Sequence, residues 1–220
     1  MRRHLLTATV LVAALVVSFL CAVAFGAERV AMVDVVAVLR NAITGAAPAN
    51  LDAVDYRIVW LLRVPRAILA ILIGGGLALI GVAMQTLVRN PLAEPYILGI
   101  SSGASAGLSL FFLGVLPPVL GASLTGSLAG FAGGMVAISI VYLVARTGRT
   151  VSVSRLLLAG IAMSSLMGAI SSFVTFASPD PGKLRAVLFL LLGSLHGASW
   201  GSLAAPALAA LVALLTLIAL

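Results

Sequence analysis

Between Pro95 and Ala145 the chain runs for 51 residues without a charged side chain. A helix needs only about 20 apolar residues to cross the hydrocarbon of a bilayer. The run is too long for one crossing. Pro117 and Pro118, flanked by Gly114 and Gly121, divide it into two helices joined by a tight turn. Three further charge-free windows are of crossing length: Leu5–Ala27 with 23 residues, Ala67–Val88 with 22, and Leu156–Pro179. Ala186–Leu220 spans 35 residues and is interrupted by GSLHGASWG at Gly193–Gly201. That pattern predicts a short half-helix, a turn and a last crossing from about Trp200. The expected fold is all-α, a polytopic membrane helical bundle of about six transmembrane helices plus one broken half-helix.

Only 9% of the residues are charged, against about 25% in a soluble globular protein, so the lipid bilayer must be much of the solvent. The net charge of +7 does not point to nucleic acid. The arginines stand at the ends of the apolar runs, where they anchor helices to headgroups. The one cysteine, Cys21, lies inside the first run and excludes a disulfide within the chain. Ala22 and Ala24 supply the A-x-A pattern of a signal peptide, but the 23-residue run exceeds the roughly 7–15 of a signal core. A retained first membrane helix is expected.

Residues 1–220 are expected to form a single transmembrane domain, with residues 28–66 as an extracytoplasmic segment between the first and second helices. Within that segment, DVVAVLRNAITG reads as a capped helix starting at Asp34 and ending at Gly45. GAAPANLDAVDY reads as loop, and Trp60 sits where an indole favours the interface. With the N-terminus inside, six arginines fall on the cytoplasmic side and seven basic residues on the other, so charge does not decide orientation. The Arg2-Arg3 pair leans towards an inside N-terminus.

Small residues recur every four positions in three helices: Gly99, Gly103, Gly107; Ala122, Gly126, Gly130, Gly134; and Gly160, Ser164, Gly168, Ser172. Residues four apart share a helix face, and small ones let backbones approach closely in lipid. These are expected to be packing surfaces of a tight bundle. Met84, Met163 and Met167 are expected in helix interiors.

No span carries a charge at its middle; Glu94 and Asp180 lie at span boundaries. This argues against the alternative of a secondary ion-coupled transporter, which relays ions or protons through an intramembrane carboxylate or histidine. No grouping of catalytic or metal-ligating residues is visible, so neither an enzyme nor a cofactor or metal is expected. The only lysine, Lys183, precedes Leu184, which excludes a Gly-Lys-Ser/Thr phosphate loop. A transporter of this composition needs a partner to supply energy.

Arg89–Glu94 reads as a proline-stiffened corner. Asn90-Pro91 ends one helix, because a residue before proline avoids the helical region, and Pro95 seats in the first turn of the next. On physical grounds alone this is a rigid helical hairpin turn.

Five stretches then occur in order: R-V-P-R at Arg63–Arg66, GGGLALIGVAMQ at Gly74–Gln85, RNPLAEPYILGISSGA at Arg89–Ala104, SRLLLAGIA at Ser154–Ala162 and LLGSLHGASW at Leu191–Trp200. Together they resemble the permease subunits of binding-protein-dependent ABC importers for ferric siderophores, haem and vitamin B12. The resemblance implies a multi-pass subunit of the bacterial or archaeal cytoplasmic (inner) membrane that forms the path for an iron complex, a ferric siderophore in the first instance. It implies a second permease subunit as partner, in a homodimer or paired heterodimer, two cytoplasmic ATP-binding subunits and an extracytoplasmic substrate-binding protein. Arg63 and Arg66 would face outward and pair with acids on that binding protein; headgroup anchoring is the other reading of both. Asn90 and Leu92 would form one cytoplasmic gate, and Ser152, Val153 and Ser154 the other, where a hydrophobic constriction closes by dewetting. Helix capping by Ser152 and Ser154 is compatible with that role. His196 suggests a haem ligand, against the plainer reading of a solvated or interfacial histidine in a turn. Full subunits of the family have ten helices. This chain is expected to lack helices seven to ten and the segment that meets the ATPases, as a truncated product, a fragment or one piece of a split subunit.

Overall fold

A computed structural model of the chain describes residues 2–45, 52–114, 125–148, 150–177, 181–195 and 197–219. Among them, five helical stretches are long and apolar enough to cross a membrane: Arg3–Ala24, Ala53–Val88, Gly126–Ala145, Val153–Phe176 and Trp200–Ala219. Where the sixth crossing is expected, the described residues hold a shorter apolar helix, Ile100–Phe112, below crossing length. The expected turn at Pro117-Pro118, Ala122 and His196 lie outside the described residues. Large apolar side chains such as Leu11, Phe131 and Phe176 stand exposed along these helices, as befits segments whose solvent is hydrocarbon.

The chain forms two compact units, residues 1–79 with 195–220, and residues 80–194. In the first, α1 (Arg2–Ala24) is followed by α2 (Met32–Thr44) and by a helical stretch that begins with α3 (Ala53–Tyr56). The C-terminus of α2 falls where the sequence places it. Gly45 takes the left-handed conformation at φ 69°, open to glycine at no steric cost, and its N–H donates to the Asn41 carbonyl at 2.8 Å. Its N-terminus differs from expectation: the helix starts at Met32 after Ala31, which makes no side-chain cap, and Asp34 sits in the first turn, where it favours the helix dipole instead.

The loop expected over GAAPANLDAVDY does not extend to its last four residues. Asp52 Oδ1 accepts from the Val54 N–H at 2.9 Å and so caps α3. From Arg57 to Arg63 the chain winds as a wide π-helix, then continues as α4 (Val64–Val88). A charge-free window starts the second span at Ala67; the helix runs well upstream, because charged residues near a membrane surface interrupt apolarity without interrupting the backbone ladder. Val23, Val35, Val38, Val59, Val64 and Ala67 form this unit's core. After the broken segment, the Ser199 N–H donates to Ser202 Oγ at 2.9 Å, a 3-10 turn covers Trp200–Ser202, and the last helix runs from Ala204 to Ala219.

The second unit holds the 3-10 turn Pro95–Leu98, α5 (Ile100–Phe112), α6 (Gly126–Ala145), the hairpin β1 (Arg146–Thr147) and β2 (Thr150–Val151), α7 (Val153–Phe176) and α8 (Pro181–Leu191). Glycine contacts set how closely the helices lie. A Cβ on Gly103 would meet the Ala137 Cβ and the Gly133 carbonyl oxygen at 2.6 Å; one on Gly107 would meet the Ala129 carbonyl, and one on Gly133 the Gly103 carbonyl. Gly126, Gly130 and Gly134 of α6 lie against Phe112, Leu108 and Ile100 of α5. Gly160 of α7 abuts the Ile97 carbonyl. Two expected ridge positions behave otherwise. Gly99 is not on the α5 helix; at φ 76° it is the left-handed hinge between the 3-10 turn and α5, set against the Gly160–Ser164 backbone of α7. Gly168 has nothing within 4 Å of the place its Cβ would occupy. Met84 and Met163 are buried in the core of this unit with Met167 packed on it.

Gly160→Ala is expected to lower stability by about 1–3 kcal/mol through a forced backbone shift. Gly168→Ala, in open space, should be neutral or stabilising by up to about 1 kcal/mol. Thermal unfolding of the purified chain in detergent, followed by helical circular dichroism, separates the two.

Candidate functional site

Proline in a helix interior removes one N–H and presses its ring on the carbonyl four residues back. Pro65 sits at the start of α4, and the ladder ahead of it is widened: the Val64 N–H reaches back five residues, to the Val59 carbonyl. Arg63 and Arg66 flank this junction and end up in different surroundings. Arg63 is only 8% exposed. Its Nη1 donates to the Val23 carbonyl at 3.0 Å and the Ala24 carbonyl at 2.9 Å, and its Nη2 to the Glu28 carbonyl. The last carbonyls of α1 have no partners within their own helix, and a cation at that end also opposes the negative pole of the dipole. Gly26 leaves room for the guanidinium: a Cβ there would stand 2.7 Å from Nη2. Arg66 is exposed. Both line a cavity of about 410 Å³ with Phe25, Glu28 and Leu62.

The Arg63 guanidinium is thus turned onto three carbonyls of its own chain, while Arg66 is exposed.

The other expected residues belong to the second unit. Helix α4 ends at Val88. Arg89 takes a left-handed conformation at φ 55°, and the Asn90 N–H donates to the Gln85 carbonyl at 3.2 Å. The stop is thus a Schellman-type cap, one residue ahead of the Asn90-Pro91 break that the proline rule predicts. The corner is then braced from within. Asn90 Oδ1 accepts from the Leu92 N–H at 2.9 Å, and Gln85 Nε2 donates to the Pro91 carbonyl at 3.0 Å. Leu92, 82% exposed, projects from this rigid polar turn.

The hairpin pairs Arg146 with Val151 and Thr147 with Thr150. Arg155 Nη1 donates to Thr147 Oγ1 at 2.7 Å, and Arg146 Nε to the Gly148 carbonyl at 2.8 Å. Ser152 precedes α7 and contributes through its backbone: its N–H donates to the Ala145 carbonyl at 3.3 Å and its carbonyl accepts from Leu156 at 2.9 Å. Its hydroxyl makes no cap bond, so the expected side-chain capping is not what positions it. Ser152 and Val153 are half-buried and Ser154 is exposed. Val88, Leu98, Ala145 and Leu156 belong to one apolar cluster. That cluster brings the corner Arg89–Glu94 and the segment Ser152–Ser154 to the same end of this unit.

Three features lie outside the four-residue spacings. Gly133, beside Gly134, makes the closest approach to α5; the Gly-Gly pair was the available signal. Ser109 and Ser171 share a buried hydrogen bond at 2.8 Å between α5 and α7, one position off the Gly168/Ser172 row. Trp200 Nε1 donates to the Trp60 carbonyl at 2.9 Å, a pairing no local pattern announces.

The profile of the FecCD transport family matches residues 14–220. The achromobactin transport system permease protein of Dickeya dadantii (strain 3937) is 43% identical over 143 residues, covering 65% of this chain and 40% of that protein. The hemin transport system permease protein of Yersinia pestis is 41% identical over 148 residues, 66% of this chain and 43% of that protein. The cobalamin import system permease protein of Halobacterium salinarum is 35% identical over 150 residues, 65% and 37% respectively. The chain thus matches about two fifths of the length of these relatives. A solved protein assigned to the metal-chelate type of ABC transporters, in an inward-facing conformation, superposes with a TM-score of 0.67 at 25% identity, over 91% of this chain and 56% of that one.

Arg63→Met should destabilise the first unit by about 1–3 kcal/mol or more, since it orphans carbonyls that are shielded from water. Arg66→Met should cost less, at most about 1 kcal/mol, because the interactions of an exposed arginine are screened by solvent. Unfolding midpoints of the two variants in one detergent give the comparison.

Proposed function

The chain belongs to the FecCD transport family, and from that premise we propose that it forms part of the permease of an ABC importer. Its cargo class is that of its relatives: an iron complex, with a ferric siderophore favoured and haem or a corrinoid as the other members. The observation that carries this reading is the family match over residues 14–220. The chain lies in the cytoplasmic membrane of a prokaryote, residues 1–220 belong to one transmembrane permease domain, and residues 28–66 face the extracytoplasmic side. ATP is hydrolysed on separate cytoplasmic subunits, a second permease subunit completes the path, and an extracytoplasmic binding protein delivers the cargo.

The residues take roles that their placement supports. Arg66, exposed at the head of α4, pairs with a carboxylate of the binding protein. Arg63 serves the same face indirectly, by fixing the end of α1. Asn90 and Leu92 on the braced corner, with Ser152, Val153 and Ser154 at the head of α7, form the cytoplasmic gate. A rigid turn that carries an exposed leucine can present an apolar plug, and a water path narrowed by such side chains closes by dewetting.

Cells that carry the chain within its complete permease, together with the ATPase and the binding protein, are expected to take up radiolabelled ferric siderophore under iron limitation, with haem and cobalamin compared in parallel. Arg66→Glu should lower uptake at least about tenfold, because juxtaposed like charges cost several kcal/mol. Unchanged uptake in that variant removes the docking role. Uptake that survives vanadate inhibition of the ATPase removes the importer reading itself.

A further inference from the structure

Pro65 leaves a specific debt in the helical ladder. In the wide turn Arg57–Arg63, carbonyls pair with N–H groups five residues ahead, as Val59 does with Val64. The next carbonyl, that of Trp60, would take its proton from residue 65, and proline has none to give. Its other helical donor, four residues ahead, is the Val64 N–H, which is directed to Val59. Within its own helix the Trp60 carbonyl therefore has no donor, and it takes one from elsewhere in the chain. The indole of Trp200 meets this need: Nε1–H donates to the Trp60 carbonyl at 2.9 Å. The two indole rings also touch, with centroids 4.6 Å apart and planes tilted by 39°.

We propose that Trp200 is a positioning residue whose indole N–H replaces the proton Pro65 cannot supply, locking the wide turn that aims Arg63 into α1 while Arg66 points outward. Residues three apart on an α-helix are neighbours on one face. Arg63 and Arg66 are three apart, yet one is buried on the α1 carbonyls and the other is exposed. They diverge at the junction between the wide turn and α4. Val59 and Val64, the two ends of the wide hydrogen bond, are both buried in the core of the unit, with Trp60 packed against them. Release of the Trp60 carbonyl removes the polar lock on that junction, and the Arg63 guanidinium then loses its fixed approach to Val23, Ala24 and Glu28. The lock itself is a statement about local geometry; only its consequence for a docked partner rests on the function proposed above.

The test uses the full chain in phospholipid nanodiscs, as wild type, Trp200→Phe, Pro65→Ala and the double variant. Trp200→Phe keeps an aromatic ring and removes the N–H. Two readouts are taken: amide hydrogen exchange over residues 57–66, and modification of Arg63 by phenylglyoxal, followed by mass spectrometry. Trp200→Phe is expected to speed exchange roughly two- to tenfold, the range for losing one hydrogen bond, and to raise Arg63 modification several-fold. Pro65→Ala restores an N–H at position 65, so in that background Trp200→Phe should change exchange by less than about twofold. Equal acceleration in both backgrounds overturns the proposal in favour of ring stacking alone. No acceleration with Arg63 still protected overturns it outright. Neither readout needs a solute or a partner protein, so failure here leaves the uptake reading intact, and failure of uptake leaves the lock intact.

Discussion

A carbonyl or amide inside hydrocarbon has no water to bond, so each break in a helical ladder must be mended by another part of the chain. Four of the described helix ends and breaks show that response. At the end of α1 the mending group is the Arg63 guanidinium, bonded to Val23 forty residues earlier. At the wide turn it is the Trp200 indole, 140 residues from Trp60. At the end of α4 the corner mends itself, through Gln85 and Asn90. At the start of α6 the Thr125 hydroxyl accepts from the Leu128 N–H. Where the mending group is distant in sequence, satisfying the backbone also fixes the tertiary arrangement.

Helix packing within the second unit follows a related logic. Apolar side chains gain little by leaving lipid for one another, so association depends on close contact and on polar bonds between helices. The backbones of α5 and α6 touch through Gly103, Gly107 and Gly133, while Ser109 and Ser171 bond across to α7. The corner and the hairpin are mounted on this tightly packed base, through Val88, Leu98, Ala145 and Leu156. Leu92 on the corner, and Thr147, Gly148 and Thr150 on the hairpin, stay exposed.

Much of the architecture was legible because it is local. The spans follow from runs without charge, the C-terminus of α2 from Gly45, and the broken segment from GSLHGASWG. The misreadings share one cause. Charge-free windows treat each arginine as the edge of a helix, yet Arg57 and Arg63 lie on a ladder that begins at Ala53. Four-residue spacing puts Gly99 on the α5 ridge, yet it is the left-handed residue ahead of that helix, packed against α7, and Gly168 has nothing within 4 Å of the place its Cβ would occupy. Spacing reports which side chains share a face; it does not report what lies opposite.

The sequence by itself determined a membrane bundle, its breaks and its family, because apolar length, proline and glycine act over a few residues and the ordered motifs survive as text. Only the tertiary structure decided that one arginine of Arg63-Val64-Pro65-Arg66 turns inward and the other outward. That choice depends on carbonyls offered by α1 and on a proton offered by Trp200. Neither lies near enough in sequence for any local pattern to register it.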